Sequence, residues 1–169
     1  MVYAGNGSIA MPAARAGDFT LRRASLDDIA TIAKLLDGAN LPHSDVALHI
    51  RDFILAVGGN RVAGVIGLEV HGRVGLMRSL AVDAGFRKQG IGDRLCQRLV
   101  EHAVRREVRD LYVLTLDAEA YFASRGFRCI DRSLAPDEIR ATRQFSSLCP
   151  NTAILMVRFL GTGAATATV

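Results

Sequence analysis

The chain has 169 residues, half of them apolar and 22% charged, and it carries a net charge of +4. That length and balance fit one soluble globular domain with its own core, and no apolar run is long enough to cross a bilayer. The arginines are scattered, with no basic tract interleaved with aromatics, which argues against a nucleic-acid partner.

The opening stretch MVYAGNGSIAMPAARAGD has no basic start followed by a long apolar run, so residues 1–17 read as a loose tail and not as a signal peptide. A single domain is predicted over 18–160. FTLRRA is its first strand. Ser25 and Asp28 then have the spacing of a capping box, and Leu26, Ile29, Ile32, Ala33 and Leu36 recur at helical spacing up to Gly38. ANLPHSDV is a loop and VALHIRDF a short second helix. FILAV, GGN and RVAGVIGLEVHG form a hairpin, and GLMRSLAV is a fourth strand.

From Ile91 the apolar residues Leu95, Cys96, Leu99, Val100, Ala103 and Val104 share one face of a helix of roughly four turns. LYVLT is a short strand suited to a sheet interior. AEAYFASR is a helix stopped by Gly126, and FRCI is a strand. PDEIRATRQF starts a helix with Pro136 at its first position, and TAILMVRFL closes as a strand. GTGAATATV, 161–169, reads as a frayed tail. The order βααβββαβαβαβ gives one α/β domain around a mixed sheet. Cys96, Cys129 and Cys149 have no ligand spacing, which predicts no metal centre and fits a reducing cytoplasm.

DAGFRKQGIGDRL places Gly90 and Gly92 where a strand turns into a helix. The first N–H groups of such a helix have no partner within it, and the helix dipole puts about half a positive charge there. Glycine lets the backbone approach a ligand closely. The stretch therefore reads two ways: a plain turn, or a cradle for phosphate. A Walker loop is excluded because no Gly-Lys-Ser/Thr follows, and no complete GxGxxG is present.

The wider stretch SLAVDAGFRKQGIGDRL resembles the cofactor signature of the GNAT N-acetyltransferase superfamily: a strand ending in an apolar-x-Val triplet, then Arg/Gln-x-x-Gly-x-Gly/Ala. Here these are Leu80, Ala81 and Val82, then Arg87, Lys88, Gln89, Gly90, Ile91 and Gly92. LLDGANLP, VIGLEVHGRVGLMRSLAV, LYVLT, YFASRGF and ATRQFSSLCP resemble more narrowly the N-acetyltransferases encoded with arsenic-resistance genes. The resemblance implies a mostly antiparallel mixed sheet splayed between its fourth and fifth strands, with acetyl-CoA in the gap. Backbone N–H groups over Arg87–Gly92 would hold the pyrophosphate, and Leu80 and Val82 the pantetheine arm. An N–H such as that of Leu80 would stabilise the oxyanion. The implied acceptor is a small-molecule amine, in a related group an amino acid with an anionic arsenic or phosphorus head. Many proteins of this fold form homodimers.

Within that frame the residues divide. Glu69, near the end of an apolar strand, reads as a general base or as an exposed strand-end carboxylate; His43 and His71 are the other candidates. Many members place a tyrosine four residues before the Gly-Phe that ends the following helix; here Phe122 holds that place, and Tyr121 is one residue off. Tyr121 reads as a displaced general acid or as a core residue. Arg78, inside a central strand, two positions before Leu80 and so expected on the same side of it, reads as a clamp for an anionic substrate or as a structural ion pair. Ser79 and Thr115 line the same cleft, or Thr115 caps the next helix. Residues 131–151 are expected to cover the acceptor end, with Arg140 and Arg143 adding positive charge. Cys149 reads as packing or as an arsenic contact; Cys96 reads as core. Two other readings remain: an acyl-CoA sensor with weak chemistry, and a protein or peptide acetyltransferase.

Overall fold

The structure, a computed structural model, describes residues 19–161. The expected tails lie outside the described residues, apart from Gly161. The chain runs β1 (Thr20–Arg23), α1 (Ile29–Asp37), α2 (Val46–His49), β2 (Phe53–Gly58), β3 (Arg61–His71), β4 (Val74–Val82) and α3 (Ile91–Arg105). It continues through β5 (Asp110–Thr115), α4 (Glu119–Ala123), β6 (Arg128–Ile130), α5 (Asp137–Arg140) and β7 (Ile154–Phe159). This is the predicted order of elements. Among the described residues no helix is long and apolar enough to cross a membrane.

The seven strands form one sheet in the order β1-β2-β3-β4-β5-β7-β6. Every neighbouring pair is antiparallel except β4 and β5. The parallel pairing runs only from Val74 opposite Asp110 to Met77 opposite Val113. Beyond Met77, β4 continues to Val82 on β3 alone, while Leu114 and Thr115 stay with β7. The expected splay is therefore present, and it opens at Arg78.

Helices cover both faces. Ile91, Leu95, Cys96, Leu99 and Ala103 bury the face of α3 against Ile66, Leu68, Met77 and Leu111, joined by Phe122 of α4. Ile32 and Leu36 of α1 and Val46 of α2 pack on Phe53, Leu55 and Val65 on the other face, and Ile139 of α5 packs there on Leu76, Tyr112 and Leu155. Each fully buried Leu or Ile stabilises the fold by about 1.5–3 kcal/mol.

Three details depart from the sequence reading. Leu26 is 69% exposed, because residues Leu26–Asp28 form a 3-10 turn that rotates it off the apolar stripe of α1. The helix after Pro136 ends at Arg140, and a π-helix, Gln144–Leu148, follows it. The third departure shapes the site. Val65 pairs with Ala81 and Gly67 with Arg78, so Ser79 and Leu80 together oppose Ile66 in a β-bulge. Ser79 carries the bend with φ +58°. The bulge breaks the alternation of the strand. Leu80 packs against the α3 side, while Arg78 lies over Phe53 on the α1 side. The expectation that Arg78 and Leu80 share a side is thus corrected.

Candidate active site

Arg78 sits in the middle of the sheet with its side chain 1% exposed. A guanidinium there must find counter-charge, and two carboxylates supply it. Nη1 and Nη2 donate to Asp45 Oδ2 and Oδ1 at 2.8 and 2.5 Å. Nη1 also donates to Glu69 Oε1 at 2.6 Å, and Nε donates to Ser79 Oγ at 3.2 Å. Burial alone would raise the Asp45 carboxyl, but Arg78 outweighs it and holds Asp45 below the usual carboxylate range. Asp45, from the loop between α1 and α2, is a residue the sequence reading missed. Its signal was indirect: a charge in a central strand demands a buried partner, and the chain does not say which acid supplies it.

Of the two readings of Arg78, the ion pair is the one the geometry displays. Four of its five N–H groups are used. Glu69 is buried, not an exposed strand-end carboxylate. Its second oxygen faces His71 Nε2 at 3.5 Å and His49 Nε2 at 3.7 Å. Asp45, His49 and Glu69 bring their ligand atoms within 4.8 Å of one another, the spacing of a cation site. Arg78 already provides the positive charge those carboxylates require. His43 is paired with Asp37 at 2.7 Å.

A cavity of about 50 Å³ opens where β4 and β5 part, room for a few waters. Leu76, Met77, Arg78 and Ser79 of β4 and Leu114 of β5 form one wall. Leu41 and Pro42 close it from the loop after α1, and Gln144 and Cys149 close it from the segment after α5. From the segment 131–151, Gln144 and Cys149 thus lie on this cavity, while Arg140 and Arg143 are not among its lining residues. Burial pushes the Cys149 thiol up, which keeps it protonated and poorly nucleophilic. Glu69 does not line this cavity. Neither does Thr115, whose Oγ accepts the Ala118 N–H at 3.0 Å in the loop before α4; the N-cap of α4 is Ala118, and no side chain caps that end.

On the other side of the parted strands lies the glycine-rich turn. Gly90 begins α3 with φ +74°, and no side chain caps that end. The first N–H groups of α3 are left to face outward, beside Lys88 at φ +62°. A Cβ at Gly92 would lie 3.2 Å from Tyr121 Oη. These residues fit the phosphate-bearing end of CoA. Arg87 folds back to donate to the Val82 carbonyl at 3.2 Å.

Phe122 is core, stacked edge-to-face on Phe127. Tyr121 turns toward the first turn of α3. Its hydroxyl donates to Asp93 Oδ1 at 3.1 Å and lies 3.5 Å from Cys96 Sγ. Arg125 caps its ring at 3.4 Å and ion-pairs with Asp93. Burial, and then Cys96, push the phenol far above its ordinary value, so it remains protonated at neutral pH.

The acetyltransferase (GNAT) family pattern matches residues 26–127. An uncharacterized N-acetyltransferase of Chlorobaculum tepidum is 31% identical over 137 residues, 76% of this chain and 86% of that protein. N-acetylglutamate synthase from Neisseria gonorrhoeae, solved with coenzyme A and N-acetyl-glutamate, superposes with a TM-score of 0.74 at 24% identity. That match covers 85% of this chain and 35% of the synthase, so the chain spans about a third of its length. The ribosomal-protein-S18-alanine N-acetyltransferase of Escherichia coli superposes with a TM-score of 0.67 at 16% identity, over 89% of this chain and 99% of that one. The family match and the 31% identical relative define the class, a transferase that takes its acetyl group from acetyl-CoA. The chain belongs to the GNAT acetyltransferase family and is an N-acetyltransferase.

Proposed function

We propose that this N-acetyltransferase moves the acetyl group of acetyl-CoA to the amine of a small molecule, an amino acid with an oxygen-rich anionic head. We place that activity in the cytoplasm and link it to arsenic resistance. The carrying observation is the covered cavity at the strand parting. A cover made by Leu41, Pro42, Gln144 and Cys149 narrows the approach and favours a small acceptor. The Neisseria synthase, a structure of similar fold, was solved with N-acetyl-glutamate.

In this reading the diphosphate of CoA rests on the N–H groups over Arg87–Gly92, and the pantetheine arm lies along Leu80, Ala81 and Val82. The thioester then reaches the parting from the α3 side and the amine from the side of Arg78 and Ser79. The neutral amine attacks the acetyl carbon, the C–S bond breaks, and the proton lost by nitrogen passes through water to the departing thiolate. Main-chain N–H groups of β4 beyond Met77, which have no partner on β5, are placed to stabilise the oxyanion. Glu69 acts through Arg78, as a positioning residue and not as the base. Tyr121, held protonated, stabilises the departing thiolate by donating a hydrogen bond to it and keeps its own proton.

Phe122 in the core, at the family's usual tyrosine place, favours the alternative of an acyl-CoA sensor with slow chemistry. Thiol release from acetyl-CoA separates the two. The enzyme reading expects release with phosphinothricin, arsinothricin or glutamate and none with a peptide amine. Tight acetyl-CoA binding with no release on any acceptor would overturn it in favour of the sensor.

A further inference from the structure

Gln144 is 5% exposed, yet its amide nitrogen Nε2 has no hydrogen-bond partner among the described residues. Leaving a buried amide donor unsatisfied costs about 1–3 kcal/mol. Such a group is uncommon in a folded chain and calls for a ligand or water. Gln144 is part of the lining of the cavity at the strand parting. Its Oε1 accepts from the Cys149 thiol at 3.4 Å, which leaves the NH₂ group as the free end of the side chain. Gln144 itself is held by the π-helix Gln144–Leu148, whose wide turn is closed by the bond from Cys149 N–H to Gln144 O at 2.9 Å.

The surrounding charge says what the donor is for. Asp45 and Glu69 take three of the five N–H groups of Arg78 and Ser79 Oγ a fourth, so the guanidinium is largely spent. The donors left on the wall are Gln144 Nε2, the Ser79 hydroxyl hydrogen and one N–H of Arg78 Nη2. We propose that Gln144 is the specificity-determining residue for the acceptor, its Nε2 donating to an oxygen of an acidic group, either a carboxylate or a phosphinate-like head. The inference rests on the small-acceptor reading above.

The test compares wild type with Gln144→Leu on phosphinothricin, norleucine and n-pentylamine, by thiol release and thermal unfolding. These carry, in turn, an α-carboxylate with an oxygen-bearing head, an α-carboxylate alone, and neither. The expected result is a loss of about tenfold or more in kcat/KM on the acidic acceptors. Pentylamine and the KM for acetyl-CoA stay unchanged, and Tm stays level or rises because an orphan donor is gone. Loss on phosphinothricin alone assigns the contact to the head; loss on norleucine as well assigns it to the α-carboxylate. Equal effects on all three acceptors, or a fall in Tm of several degrees, overturn this inference alone. A wild type that acetylates none of the three overturns the small-acceptor reading and this inference together.

Discussion

Arg78 shows how a single residue can be structural and still decide function. Its guanidinium joins the loop carrying Asp45 to β3 through Glu69 and to its own bulge through Ser79. Removing it leaves two buried carboxylates without counter-charge. Arg78→Met is therefore expected to lose about 3–5 kcal/mol of stability in chemical denaturation. Arg78→Lys is expected to recover only part, because an ammonium cannot match two carboxylates with a planar fork. A stability loss under 1 kcal/mol for Arg78→Met would refute the network. Tyr121→Phe tests the other residue-level claim: kcat falls about a hundredfold or more while the KM for acetyl-CoA holds. An unchanged kcat would leave the thiolate to solvent.

At the scale of elements, the bulge in β4 sets what the cleft contains. Ser79 at φ +58° is in a region glycine tolerates and β-branched residues do not. Ser79→Gly should keep the fold and the register. Ser79→Val should lower Tm and abolish thiol release, since straightening the strand would move Arg78 off its carboxylates; a Val variant as active as wild type would show the bulge to be dispensable. The sequence makes α3 and its glycine entry legible because helical periodicity and Gly90 are local signals. It makes the splay legible only through the family resemblance. The bulge is invisible, because Ser79 has no turn signature and GLMRSLAV reads as an unbroken strand. The partnership of Arg78 with Asp45 is equally hidden, joining residues 33 positions apart. Gln144 escapes notice because the π-helix that aims it follows no periodic pattern.

For the whole molecule, the buried ionisable groups dictate how stability responds to acid. Burial holds the His102 imidazole below its ordinary value despite its hydrogen bond to Asp52, so the folded state favours the neutral ring. The unfolded chain then binds more protons as pH falls past about 6.5, and stability declines from there. The Arg22 hydrogen bonds hold Asp28 well below the carboxylate range, and Arg78 does the same for Asp45. Their contribution is complete above about pH 4 and is lost as pH falls through the lowered folded values. Denaturation midpoints measured across pH should therefore fall in two stages, and His102→Gln should remove the upper one. A midpoint flat from pH 7 to pH 5 would contradict the assignment for His102.

The most direct test of the account is a crystal structure with CoA bound. It should show the diphosphate on the N–H groups over Arg87–Gly92. The pantetheine arm should run along Leu80–Val82, and the thiol should end at the strand parting, facing the cavity of Arg78, Ser79 and Gln144. A thiol that ends elsewhere, with that cavity shut off from it, would contradict the assignment of the cavity as the acceptor site.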